Sequence, residues 1–166
     1  RELSPVETVR HSTAHLLASA VAHLYPGTRF AIGPHVEHGF YYDMDVEGGV
    51  ISEDDLPRIE EEMAKIVAAN QPFVREEISR EDAIALFQKM NEPYKVEIIS
   101  AIPPGSIITL YRHGNFVDLC RGPHIERTGQ LKAFKLLSVA GAYWRGDSKN
   151  RMLSRIDASL AALGHG

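Results

Sequence analysis

A long helix opens the chain, and whatever else the sequence builds has to bury it. Ser4-Pro5-Val6-Glu7 carries a capping-box pattern with proline at the first helical position, and Pro26-Gly27 supplies a stop. The spacing predicts a strongly amphipathic helix from there to about Tyr25. One helix cannot hide its own apolar face, so its partner has to come from later in the chain. Residues 29–33 and 37–43 read as strands, and Gly48-Gly49 is a turn signal between Val46 and Val50. Ser52 caps a second helix to about Asn70, with Leu56, Ile59, Met63, Ile66 and Val67 on one stripe.

The pattern then alternates. Phe73 to Ile78 reads as a strand, and Ser79 caps a short helix through Met90 with Ile84 and Phe87 inward. Lys95 to Ile99 reads as a strand, followed by the break Pro103-Pro104-Gly105. Residues 106–112 and 116–120 flank His113-Gly114-Asn115 as a hairpin. Arg121 to Gln130 is expected to be a loop, residues 132–140 a strand, and Lys149 to about Leu163 a closing helix. Irregular alternation of this kind predicts an α+β fold, an antiparallel sheet covered by helices.

Composition narrows the function classes. With 166 residues, 44% of them hydrophobic, the chain is long enough to bury a core and fits one domain with at most a small appendage. No apolar run approaches the roughly 20 residues of a membrane span, and no signal segment opens the chain, so no membrane partner is expected. The first residue is Arg1 and not Met, which suggests a fragment of a longer protein. A single cysteine, Cys120, excludes an internal disulfide and fits a reducing cytoplasm. A formal charge of −4 argues against gripping nucleic acid by bulk charge alone. The charge is uneven: residues 37–62 hold ten acids against Arg58, whereas residues 121–155 hold eight bases against Glu126 and Asp147. A local basic face is expected on the second stretch.

The chemistry concentrates in two segments. His11 and His15 stand four apart, so both imidazoles leave one face of the helix. Farther on comes Asp118-Leu119-Cys120-Arg121-Gly122-Pro123-His124. Asp118 and Cys120 project to the same side of a strand, and Gly122-Pro123 bends the chain so that His124 can return to Cys120. Such groups suit three chemistries. Zinc held by His11, His15, Cys120 and His124 would acidify a bound water, although four ligands leave that water no open position. An imidazole of His11 or His15 could instead act as general base on water, or a Cys120 thiolate could attack an ester directly. Water attack is preferred, and the question of zinc stays open.

His11-Ser12-Thr13-Ala14-His15-Leu16-Leu17 together with the Asp118–His124 segment resembles the paired motif of threonyl- and alanyl-tRNA synthetase editing domains. Ala31-Ile32-Gly33-Pro34, Gly39-Phe40-Tyr41-Tyr42-Asp43, Pro93-Tyr94-Lys95-Val96 and Ala140 through Asp147 resemble the bacterial threonyl type. The matching stretches run in order from about Val9 to Ile156, which implies an editing domain over 1–156 and a tail or linker start over 157–166. The resemblance implies a long helix laid on an antiparallel sheet with a cleft between them. It implies hydrolysis of the ester joining serine to the 3′-terminal adenosine of threonine tRNA, a deacylase activity without aminoacylation by this chain. The implied partners are the acceptor end of tRNA(Thr) carrying serine and the remainder of threonyl-tRNA synthetase.

By position, the resemblance makes His11, His15, Cys120 and His124 the central group, with Tyr42, Lys95 and Asp118 as further site residues. Lys95 is expected to hold the tRNA terminus or the oxyanion, Asp118 the serine ammonium or a histidine, and Tyr42 to stack on adenine. Serine differs from threonine by one methyl, worth only about 1–3 kcal/mol in a pocket, so a second sieve is needed. That logic predicts a small, polar pocket. The competing readings are a freestanding deacylase acting in trans, a non-catalytic module binding the tRNA acceptor end, and a zinc-dependent hydrolase of small molecules.

Overall fold

The computed structural model describes residues 5–47, 51–121, 123–131 and 133–160. The Ser4 cap and the Gly48-Gly49 turn fall outside the described residues.

Helix α1 (Pro5–Leu24) is the centre of the molecule. Ten consecutive residues, Ser12 to Val21, are buried, so the middle of the helix is enclosed on all sides and is not the one-faced amphipathic element expected. Two of the polar side chains inside it bond back to their own helix. Ser12 Oγ donates to the Thr8 carbonyl at 2.8 Å, and Thr13 Oγ1 to the Val9 carbonyl at 2.7 Å.

Against α1 lies a five-stranded antiparallel sheet. It comprises β1 (Arg29–Phe30), β2 (His35–Val36), β3 (Gly39–Asp45), β7 (Phe134–Tyr143) and β8 (Met152–Leu160), in the order β1-β3-β8-β7 with β2 also on β3. Helix α2 (Leu56–Ala69) follows a 3-10 turn and turns Leu56, Ile59, Met63 and Ile66 inward, the stripe read from the sequence. Phe40, Tyr42, Met44, Ile156 and Ala158 of the sheet complete this core with α1 and α2.

A second, three-stranded antiparallel sheet of β4 (Val74–Ile78), β5 (Ile108–His113) and β6 (Phe116–Leu119) carries α3 (Arg80–Lys89) and α4 (Pro93–Ala101) on a smaller core around Phe87, Ile99 and Leu110. Ser79 caps α3 as expected, its hydroxyl accepting from the Asp82 amide at 3.1 Å. The β5–β6 hairpin turns through Gly114 at φ +56°, a conformation that glycine adopts without steric cost. The α+β class and the antiparallel sheets covered by helices are as expected.

Two elements differ from the sequence reading. Lys95–Ile99, expected as a strand, is part of α4. Val96, Ile98 and Ile99 favour strands, but Pro93 opens a helical turn and packing puts Tyr94, Lys95 and Ile99 on the buried side. In place of the closing helix, β8 runs there, hydrogen-bonded to β3 on one edge and β7 on the other. Leu153, Ile156 and Leu160 have helical spacing, and only the ladders on both edges fix the segment as a strand. The boundary read after residue 156 falls inside β8. Among the described residues no helix is long and apolar enough to cross a membrane.

Candidate active site

The first turns of α1 present His11 and His15 toward the end of β6, with ring centroids 5.9 Å apart. Cys120 leaves β6 with its amide donating to the Thr109 carbonyl at 3.1 Å and its carbonyl accepting from the Thr109 hydroxyl. Both backbone groups of this residue are therefore fixed, and its thiol is aimed at α1. His11 Nε2 lies 2.6 Å from Cys120 Sγ, and His124 Nε2 lies 3.0 Å from the same sulfur. One ligand atom from each of His11, His15, Cys120 and His124 falls within 4.8 Å of all the others. The four residues expected to converge do converge.

Ser12 orients the cluster, a role the sequence reading missed. Its hydroxyl proton goes to the Thr8 carbonyl, so its oxygen accepts from the Ile125 amide at 3.1 Å and from His124 Nδ1 at 2.9 Å. His124 therefore carries its proton on Nδ1 and presents a bare Nε2 to the Cys120 thiol. Burial pushes the His124 imidazole far below its ordinary pKa, and the neighbouring His15 and His11 reinforce this, so the ring is neutral. The thiol then donates to His124, and His11 Nε2 donates to the sulfur. The donors form a directed chain from His11 through Cys120, His124 and Ser12 to the Thr8 carbonyl. Phe73, stacked on His124 at 5.2 Å, and Tyr111, edge-on at 4.2 Å, hold the imidazole between them.

A second network lies beside the first. Asp118 accepts from Lys95 Nζ at 2.8 Å and the Leu119 amide at 2.8 Å on Oδ1, and from the Tyr42 hydroxyl at 2.5 Å on Oδ2. Lys95 also donates to the Tyr42 oxygen at 3.0 Å. His15 Nε2 is 3.6 Å from Asp118 Oδ2, beyond hydrogen-bond distance. Burial, followed by repulsion from the neighbouring His11 and His113, drives the His15 pKa well below the usual imidazole range. Burial and the Asp118 carboxylate push the Tyr42 phenol well up. Tyr42 is only 2% exposed, its ring is edge-on to Phe30 at 5.6 Å, and its hydroxyl is engaged by Asp118. Lys95 is likewise buried, and it is paired with Asp118 at 2.8 Å.

Both networks border one cavity of about 700 Å³. His11, His15, Tyr42, Lys95, Asp118 and Cys120 form its polar end, while His124 stands behind Cys120. Ile98, Ile102, Ile107, Ile108 and Pro103 form an apolar wall. The cavity is larger and more apolar than the small polar pocket expected, because Ile98 and Ile102 at the end of α4 face Ile107 and Ile108 at the start of β5 around it. Four of the eight bases expected to form a basic face over 121–155 pair with acids: Lys135 with Glu60, Arg145 with Glu97, Arg151 with Asp45 and Arg155 with Asp43.

The residue types at the cluster suit a tetrahedral zinc, whose ligands would stand roughly 3.3–3.8 Å apart. The edges of 2.6 and 3.0 Å at Cys120 are shorter than that. Ligation by all four would require the groups to spread and would leave no position for water.

Residues 108–157 match the family described as the threonyl and alanyl tRNA synthetase second additional domain. The chain is 61% identical over 151 residues to the threonine–tRNA ligase of Acidithiobacillus ferrooxidans, covering 91% of this chain and 23% of that protein. The threonine–tRNA ligases of Nitratidesulfovibrio vulgaris and Anoxybacillus flavithermus are 59% and 54% identical, again over 91% of this chain and 23% of each relative. The chain thus spans about a quarter of the length of the curated relatives it matches. With His11, His15, Cys120 and His124 gathered at one end of the cavity, residues 108–157 match the second additional domain family of threonyl and alanyl tRNA synthetases, and the chain is similar over 91% of its length to threonine–tRNA ligases.

Proposed function

We propose that this domain is a hydrolytic editing site that removes serine from mischarged Ser-tRNA(Thr) in the cytoplasm, as part of a longer threonine–tRNA ligase. The observation that carries the reading is the cavity itself, with two histidines, a thiol and one carboxylate at its polar end and an apolar wall leading away from them. The polar end suits a seryl group, and the wall suits the terminal nucleoside. Asp118 is the one carboxylate among the described residues that line the cavity and is the acceptor for the serine ammonium.

In the reaction, water attacks the ester carbonyl and gives a proton to the His11 imidazole, the less buried of the two rings on the cavity. The directed chain behind His11 helps it hold that proton, because each donor in it points away from the cavity. Collapse of the tetrahedral intermediate breaks the bond to the ribose oxygen, which as it leaves takes back from His11 the proton that water gave up. The products are serine and the intact tRNA 3′ end. Lys95 lines the same polar end of the cavity, and its role is to stabilise the oxyanion while it remains bound to Asp118. Discrimination against threonine needs only the polar end to be tight, whatever the size of the remaining cavity. A zinc ion, if bound, would acidify a water; none of these steps requires it.

The test is hydrolysis of Ser-tRNA(Thr) beside Thr-tRNA(Thr). A preference for the seryl ester that disappears in His11→Ala and Cys120→Ala supports the proposal. Equal rates on both esters remove the sieve. Hydrolysis unchanged in the double variant would instead mark the domain as a module that only binds the acceptor end.

A further inference from the structure

A seryl ester on the terminal adenosine of tRNA has a phosphodiester on the 5′ side of the same nucleotide, and an acidic domain has to offer that charge a cation near the cavity. Among the described residues two cations border the cavity, Lys95 and Arg121. Lys95 is buried and held by Asp118 at 2.8 Å, so a phosphate would have to break a buried ion pair to engage it. Arg121 is exposed at the cavity and has no ion pair or hydrogen bond among the described residues.

Its neighbours in the basic run are otherwise engaged. Arg127 donates to the Asn70 carbonyl at 2.6 Å, Lys135 meets Glu60 at 3.5 Å, and Arg145, Arg151 and Arg155 each hold an acid. Lys149 is exposed but does not border the cavity. Among the described residues, the run that looks basic in sequence therefore leaves one uncommitted guanidinium at the site, on the residue directly after Cys120.

We infer that Arg121 is a substrate-binding residue that grips the 5′-phosphate of the terminal adenosine and so pins the ester over the His11–Cys120 cluster. A guanidinium fork suits phosphate oxygens, and a solvent-exposed one held by no acid can reach them without first losing another contact. The inference rests on the proposed acceptor-end reading and adds to it the residue that recognises the nucleotide's charge.

The experiment compares serine esters of adenosine and of adenosine 5′-monophosphate as hydrolysis substrates, with adenosine and adenosine 5′-monophosphate titrated as ligands. The wild-type domain is expected to favour the phosphorylated form by about tenfold or more in KM and in Kd, the size of one charge-assisted contact. Arg121→Ala should bring that ratio close to one, Arg121→Lys should keep part of it, and added salt should shrink it. A ratio unchanged in Arg121→Ala, or no preference in the wild type, overturns the assignment. If no ester is hydrolysed at all, the editing proposal falls, and the two ligand titrations still decide whether Arg121 reads phosphate.

Discussion

Asp118 and Lys95 offer a measurable test of the site's electrostatics. Each side chain is about 5% exposed or less, they meet at 2.8 Å, and the carboxylate also accepts from the Tyr42 hydroxyl and the Leu119 amide. Replacing Asp118 with asparagine keeps the shape but removes the charge, leaving the Lys95 ammonium buried without its counter-ion. It also forces an amide NH₂ to face either the Tyr42 hydroxyl or the Lys95 and Leu119 donors. Breaking a buried pair from one side costs roughly 3–5 kcal/mol, a large share of the about 5–15 kcal/mol that holds a domain folded. Lys95→Met should cost less, about 2–3 kcal/mol, because Asp118 keeps two donors. The double variant should then be more stable than the sum of the singles predicts, by at least about 2 kcal/mol. Urea unfolding at neutral pH, read from the midpoints at constant slope, measures all three. Additivity within about 0.5 kcal/mol would refute the pairing argument.

The remaining buried groups give three further outcomes. Burial pushes the His113 imidazole down to about 4, so between there and its ordinary value near 6.5 the unfolded state binds the extra proton. Stability should therefore rise with pH across that window by roughly 3 kcal/mol from this ring, and urea midpoints of His113→Gln should show a flatter profile. Glu92 runs the other way: burial raises its carboxyl to about 7, although the Phe30 amide bonds it at 2.8 Å. Here the folded state keeps a proton that the unfolded chain loses near 4.5, so stability falls as pH rises to 7, and the advantage of Glu92→Gln over wild type should widen by roughly 3 kcal/mol between pH 5 and 8. Ser12→Ala removes the acceptor for His124 Nδ1–H and the Ile125 amide. It should cost about 1–3 kcal/mol in urea unfolding, and ¹⁵N NMR should find His124 no longer confined to the Nδ1–H tautomer.

How much of the molecule is legible in its sequence depends on the range of each signal. The His11–His15 pair is legible because four residues make about one helical turn, and His124 because a glycine–proline bend can return the chain to Cys120. Ser12 is hidden between the histidines, since a serine inside a helix has a structural use of its own. Lys95 stands out, but its helix does not: Val96, Ile98 and Ile99 speak for a strand until Val96 and Ile99 pack on α3 and Ile98 on Trp144 and its neighbours. The closing strand misleads for the opposite reason, because its apolar spacing is helical and its two ladders come from residues far away in the chain. The eight bases of the C-terminal stretch show a net charge but not their partners, and Glu97, Asp45 and Asp43, which neutralise three of them, lie in other elements.

The middle strand of the larger sheet has a kinetic consequence. Strand β8 begins at Met152, while the helix it helps to cover ends at Leu24. On a ribosome adding about 5–20 residues per second, the apolar helix must wait on the order of ten seconds before Ile156 and Ala158 emerge to close over it. Throughout that interval the histidines are synthesised but idle, and the nascent chain presents one of its greasiest segments to the cell. Folding of such a long-range architecture should be slow, with the cluster of His11, His15, Cys120 and His124 among the last features to form.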